Sequence, residues 1–145
     1  MKRINLHILA DKTPKADKVR KYLAKSHTNY SAKACDYIVV VGGDGFMLDI
    51  LKKYQKFEKP FYGINTGKRG FLLNKYGNGN LKSKINQASK IYLFPLEAKI
   101  KTRNITKKII AINEVSVFRQ SKQTTQLQVN LNKKIKIKEL VGDGI

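Results

Sequence analysis

A single cysteine, Cys35, in 145 residues excludes an internal disulfide, and with only two histidines no Cys/His cluster has zinc-site spacing. That usage fits a reducing compartment, so the cytoplasm is the expected location. Long apolar runs are missing too: nothing approaches the roughly 20 residues that a membrane-spanning helix needs, and no membrane partner is expected. The opening Met1-Lys2-Arg3 is basic, but the apolar stretch behind it is interrupted and stops at Asp11. That pattern predicts a first strand over Ile4–Leu9 rather than a signal peptide. Acidic side chains are the scarcest of the common classes. Ten Asp+Glu stand against 30 Lys+Arg, a formal net charge of +20.

Such a balance invites a nucleic-acid reading, because Lys and Arg neutralise phosphates and release counterions. The distribution argues against it. Five of the basic residues are Arg (Arg3, Arg20, Arg69, Arg103, Arg119), whereas readers of base edges lean on the bidentate guanidinium. The lysines are scattered, and no helix-turn-helix, zinc-finger or RNP-like aromatic motif interrupts them. Nucleic acid is therefore not the expected partner. The charge describes a solvated, Lys-rich surface whose field still attracts small polyanions such as nucleotides and polyphosphate. With 41% hydrophobic and 28% charged residues the chain is globular, sized for one domain or one small domain plus part of a second.

Hydrophobic periodicity sets the order of elements. Thr13-Pro14 supplies a helix N-cap and a proline for the first turn; Ala16, Val19, Tyr22 and Leu23 follow at helical spacing, which predicts a helix over Pro14–Ser26. Tyr37–Val41 is a β-branched run of the kind buried on both faces of a parallel sheet. A second helix follows, striped by Phe46, Ile50, Leu51 and Tyr54. A third strand covers Pro60–Asn65, and Asn80 caps a third helix with Leu81, Ile85 and Ala88 on its buried side. The tyrosines and phenylalanines mostly fall on such core stripes. This β-α-β-α-β-α order predicts a parallel sheet with helical crossovers. After residue 89 the pattern changes to strand-like stretches, Ile91–Thr102, Lys108–Arg119 and Gln126–Glu139, with a turn at Asn132-Lys133. The expected organisation is an α/β domain over 1–89 and a partial, antiparallel β-rich domain of three or so strands over 90–145.

Ligands of parallel sheets bind beyond the carboxyl ends of the strands, and two glycine-rich turns lie there. In Gly42-Gly43-Asp44-Gly45 a buried strand delivers an acid onto a turn that opens a helix. The glycines let the backbone approach a ligand, the helix N-terminus favours phosphate, and an acid among those donors is a candidate base. The alternative role for Asp44 is to cap the helix. No Lys-Ser/Thr pair follows, which excludes a Walker A loop. The second turn, after Asn65, carries Lys68 and Arg69. Together with Gly42 and Gly43 these are the phosphate-binding candidates. His7 and His27 are too isolated to form a metal pair, and Cys35 has no His partner that would make it a nucleophile.

Gly42-Gly43-Asp44-Gly45 resembles the acid turn shared by NAD kinases, diacylglycerol-type lipid kinases and phosphofructokinases. Gly63-Ile64-Asn65-Thr66-Gly67-Lys68-Arg69-Gly70-Phe71-Leu72 resembles a segment of bacterial NAD kinases in particular. Ala111-Ile112-Asn113-Glu114-Val115 is similar to their Asn-Glu motif, placed on a strand, and Gly142-Asp143-Gly144-Ile145 to the start of their third motif. The resemblance covers the whole chain and about half of a typical member. It implies a Rossmann-like α/β domain followed by an incomplete antiparallel all-β domain. It further implies transfer of a phosphoryl group from ATP or polyphosphate, with magnesium, to the 2′-hydroxyl of the adenosine ribose of NAD, giving NADP.

Carried over by position, the resemblance implies that Asp44 is the proton acceptor, with Gly45 beside it at the dinucleotide. The resemblance likewise implies that Asn113 and Glu114 bind ribose hydroxyls and that Asp143 helps hold the dinucleotide; on a strand, Asn113 and Glu114 need a bulge or edge to reach one ligand. Asp49 departs from the basic or small residue many members carry there, and the third motif's continuation is not present. The alternatives are a truncated, non-catalytic kinase remnant and a basic polyanion-binding or nucleic-acid-binding protein. Uncovered strands also make a homo-oligomer an expectation.

Overall fold

The computed structural model describes residues 4–77 and 79–145; Met1-Lys2-Arg3 lies outside the described residues. The chain divides into two compact units, one ending at Leu93 and the other Phe94–Ile145.

The first unit is a four-stranded sheet in the order β1 (Leu6–Ala10), β2 (Tyr37–Gly42), β3 (Phe61–Asn65), β4 (Asn74–Lys75), with every neighbouring pair parallel. Alternate residues of β2 point to opposite faces and belong to two different apolar layers. Val39 and Val41 pack with Leu6, Ile8, Tyr62 and Ile64 against Ala16, Val19 and Leu23 of α1 (Pro14–Ala24) and Leu81 and Ile85 of α3 (Leu81–Gln87). Ile38 and Val40 pack on the other face with Cys35 and with Met47 and Ile50 of α2 (Asp44–Tyr54). The sheet is thus covered on both sides, as a run of β-branched residues with no polar alternation requires.

Caps behave as the sequence predicts. The Thr13 side chain accepts from the Ala16 N–H and Asn80 accepts from the Ser83 N–H. Five expectations need correction. Helix α1 ends at Ala24, because the N–H groups of Ser26 and His27 turn back onto the Leu23 carbonyl. Tyr22, on the apolar stripe by spacing, is 63% exposed, and Ala88 is the exposed C-cap of α3. Several aromatics stand outside the core, Phe71 and Phe94 most of all. Strand β4, only two residues long, has no periodicity to betray it. It reaches its place through the Thr66–Leu73 loop, without a helical crossover.

The second unit pairs β5 (Leu96–Lys101) with β6 (Thr106–Ala111), and β7 (Thr125–Leu131) with β8 (Lys134–Gly142), both antiparallel. Among the described residues these are two separate two-stranded sheets rather than one sheet of three strands. Ile91–Pro95 is not a strand, and the Lys108–Arg119 stretch stops at Ala111. Asn132 and Lys133 both have positive φ (50° and 63°), the requirement of a tight two-residue hairpin turn.

Candidate active site at the carboxyl rim of the sheet

Strand β2 ends in Gly42, Gly43 is the N-cap of α2, and Asp44 is the first helical residue. No side chain caps this helix, so Asp44 does not do the capping job open to it. Its half-buried carboxylate instead accepts two backbone hydrogen bonds from far along the chain. Phe71 N–H donates to Oδ2 at 2.8 Å and Leu72 N–H to Oδ1 at 3.1 Å. These bonds fix the carboxyl plane and tie the Thr66–Leu73 loop to the helix start. Both oxygens keep a further lone pair for another donor.

The loop itself is built around Asn65. Its side-chain oxygen accepts from Gly67 N–H at 2.8 Å, and Thr66 N–H donates to the Gly42 carbonyl at 2.8 Å, extending the sheet ladder by one step. A Cβ at Gly70 would stand 2.9 Å from Asn65 Nδ2 and 3.3 Å from Asp44 Oδ1, so a side chain there would displace the Asn65 amide and crowd the carboxylate. Phe71, whose N–H holds Asp44, turns its ring to solvent at 95% exposure. The Gly-Phe-Leu stretch stands out in the sequence as a motif, but its backbone role reaches across 27 residues and leaves no periodic trace.

The other candidates separate. Lys68 and Arg69 sit on the same loop but line a cleft with residues of α1 and β4; none of Gly42–Gly45 lines it. Asn113 and Glu114 lie just past the end of β6, where the chain bends at Ile112-Asn113. Both are exposed and make no side-chain hydrogen bond among the described residues. The bend corrects their placement on a strand and removes the constraint that adjacent strand residues face opposite ways.

Asp143 follows β8 and is not free. Its Oδ1 accepts from Arg119 Nε at 2.5 Å, and its carbonyl accepts from Arg119 N–H at 2.9 Å. Gly144, at φ +155°, lies so close to Val117 that a Cβ would stand 2.0 Å from that carbonyl oxygen. Arg119 is the partner that sequence reasoning missed. Elsewhere, burial pushes the Cys35 thiol up, in keeping with an inert side chain. Among the described residues no three His, Cys, Asp or Glu side chains converge to hold a metal ion.

A family model for the ATP-NAD kinase N-terminal domain matches residues 3–92. The chain belongs to the NAD kinase family. It is similar to the NAD kinase of Caulobacter vibrioides, at 38% identity over 90% of this chain and 51% of that protein. The NAD kinase of Zymomonas mobilis is 36% identical, over 100% of this chain and 57% of its own length. Among solved structures, an NAD kinase from Archaeoglobus fulgidus in complex with ATP shares the fold. Its TM-score is 0.67 at 21% identity, covering 97% of this chain and 59% of that one. This family member spans about half the length of the curated relatives it matches. The α/β class follows from both the topology and that likeness. Among the described residues no helix is long and apolar enough to cross a membrane.

Proposed function

We propose that this NAD kinase family chain contributes the phosphoryl-transfer centre of an enzyme that converts NAD to NADP in the cytoplasm. The observation that carries the reading is the Asp44 carboxylate, oriented by two backbone N–H groups at the open end of a parallel sheet. Beside it, Cβ atoms built at Gly43 and Gly45 would meet nothing within 4 Å, so no packing demand accounts for those glycines. A bare backbone at a helix N-terminus suits the close approach of a phosphorylated ligand.

In this reading the 2′-hydroxyl of the adenosine ribose lies against Asp44. The hydroxyl oxygen bonds to the terminal phosphorus of ATP or polyphosphate as the bridging P–O bond breaks, and the proton passes to the carboxylate. The exposed Phe71 ring offers an apolar face at the same rim. Asn113 and Glu114, an amide and a two-oxygen acceptor, are assigned to ribose hydroxyls, and Asp143 to the dinucleotide; the Asp143–Arg119 bond then has to yield or be shared. The described acids form no cage for a divalent ion, so no step is assigned to one. Magnesium, which is commonly bound by one or two carboxylates and substrate phosphates, would enter with the donor.

The test is NAD binding by the chain, and NADP formation from NAD, ATP and magnesium, for the parent and for Asp44→Asn. The parent should bind NAD and form NADP, and the variant should lose roughly 100-fold or more of the rate, the range for removal of a positioned base. A parent that neither binds NAD nor forms NADP, or a variant as active as the parent, overturns the assignment.

A further inference from the structure

The stretch Gly67–Leu72 has no ladder of its own. Among the described residues its backbone makes no hydrogen bond to other backbone groups. Its three N–H bonds all end on side chains: Gly67 on Asn65 Oδ1, and Phe71 and Leu72 on the Asp44 carboxylate. Leu72 and Leu73 pack against the α2-side core, which steadies the far half. The near half, Gly67-Lys68-Arg69-Gly70, has no apolar side chain to bury, and its two glycines have the most backbone freedom to lose. Asn65 therefore holds that half. It ends β3 beside Gly42, two residues ahead of Asp44, so the loop hangs between two neighbouring side chains.

The Asn65 amide also has a second side. With Oδ1 taken by the Gly67 N–H, its Nδ2 lies against Gly70, whose missing Cβ leaves room for both Nδ2 and Asp44 Oδ1. A carboxylate would accept from Gly67 as well as an amide does, since Asp and Asn both make this side-chain turn. Only the amide does so without setting a second negative charge near Asp44. We infer that Asn65 is a positioning residue for phosphoryl transfer: it sets the turn that carries the Phe71 and Leu72 N–H groups to Asp44, and as a neutral amide it brings no like charge beside that base. The inference rests on the kinase reading of Asp44, and in it Asn65 touches neither the hydroxyl nor a phosphate. Aim is what such a residue controls, and a base displaced by about 1 Å can lose on the order of 100-fold in rate.

Two measurements on the full chain test it. Amide hydrogen exchange, read by NMR without substrate, should quicken roughly ten-fold or more at Phe71 and Leu72 in Asn65→Ala, with the α1 amides unchanged. Asn65→Asp keeps the turn acceptor, so exchange there should stay near the parent's. NADP formation from NAD, ATP and magnesium should fall roughly 10- to 100-fold in kcat in Asn65→Ala, with KM for NAD within about three-fold of the parent's. In Asn65→Asp the acid limb of the pH–rate profile should move to higher pH, because one of two neighbouring carboxylates keeps its proton longer, and above that limb the rate should return toward the parent's. An asparagine that only supports the fold would lower the rate in both variants and leave the limb in place. Unchanged exchange at Phe71 and Leu72 in Asn65→Ala, or an unmoved limb in Asn65→Asp, overturns the inference even where Asp44→Asn behaves as a lost base. A parent that forms no NADP defeats the kinase reading instead, and the exchange measurement then decides by itself whether Asn65 sets the loop on Asp44.

Discussion

Gly45→Ala separates two demands that one glycine can answer. A Cβ at position 45 meets nothing within 4 Å, and the residue lies in the first turn of α2. The methyl group should therefore raise stability by about 0.5–1 kcal/mol, the usual helical advantage of Ala over Gly. If the rim takes a dinucleotide, the same methyl obstructs it, and NAD affinity should fall roughly ten-fold, a loss of about 1.4 kcal/mol. Thermal unfolding and NAD titration read the two effects separately; unchanged NAD affinity would remove Gly45 from the site. Gly42 and Gly63 contrast with it. Cβ atoms there would stand 2.8 Å from Phe46 Cδ1 and 2.7 Å from Leu73 Cδ2, so packing explains both. In the sequence Gly42, Gly43 and Gly45 look alike, and only the fold sorts the packing glycine from the two facing open space. The Asp44 carboxylate was legible as a rim acid because strand, turn and helix adjoin in the chain. Its tether was not, because the donors belong to Phe71 and Leu72 and no local pattern joins them to it.

At the scale of elements, strand β1 is one edge of the parallel sheet, and Asn29 and Tyr30 cover it. Asn29 Oδ1 accepts from the Ile8 N–H at 2.7 Å while its Nδ2 donates to the Ile8 carbonyl at 3.3 Å, a copy of the pairing a fifth strand would offer. Tyr30 N–H adds a bond to the Leu6 carbonyl at 2.9 Å. Asn29→Ala leaves both Ile8 groups without their partner and should cost about 1–2 kcal/mol in urea unfolding, with faster aggregation through the bared edge. A change under a few tenths of a kcal/mol would mean that water replaces the amide. Elements with strong periodicity were legible: the β-branched β2, the Thr13-capped α1 and the β7–β8 hairpin. What failed was continuity. The run from Ile91 becomes a strand only after Pro95, and the bend at Ile112-Asn113 ends the run from Lys108, since β propensity expresses packing more than backbone preference. Strand β4 exists only because the loop held by Asp44 delivers Asn74 and Lys75 beside β3.

The whole molecule sets a net charge of +20 against uncovered apolar surface. Ile91, Tyr92 and Phe94 are 85%, 76% and 88% exposed, and on the strand pairs Ile135 and Val141 are 59% and 55% exposed. Apolar area draws copies together at any ionic strength, whereas the repulsion of like-charged copies acts over a Debye length of about 10 Å at 0.1 M salt and about 3 Å at 1 M. Raising the salt therefore removes the opposing force and leaves the attraction. The chain should be monomeric at low salt and associate increasingly toward 1 M, with light scattering reporting the rise in mean mass. Association through complementary charge would run the other way, strongest in dilute buffer, but 10 acids cannot balance 30 bases across an interface between identical copies. A mass that stays flat across the salt series would show that the exposed apolar side chains are too dispersed to form a contiguous sticky patch.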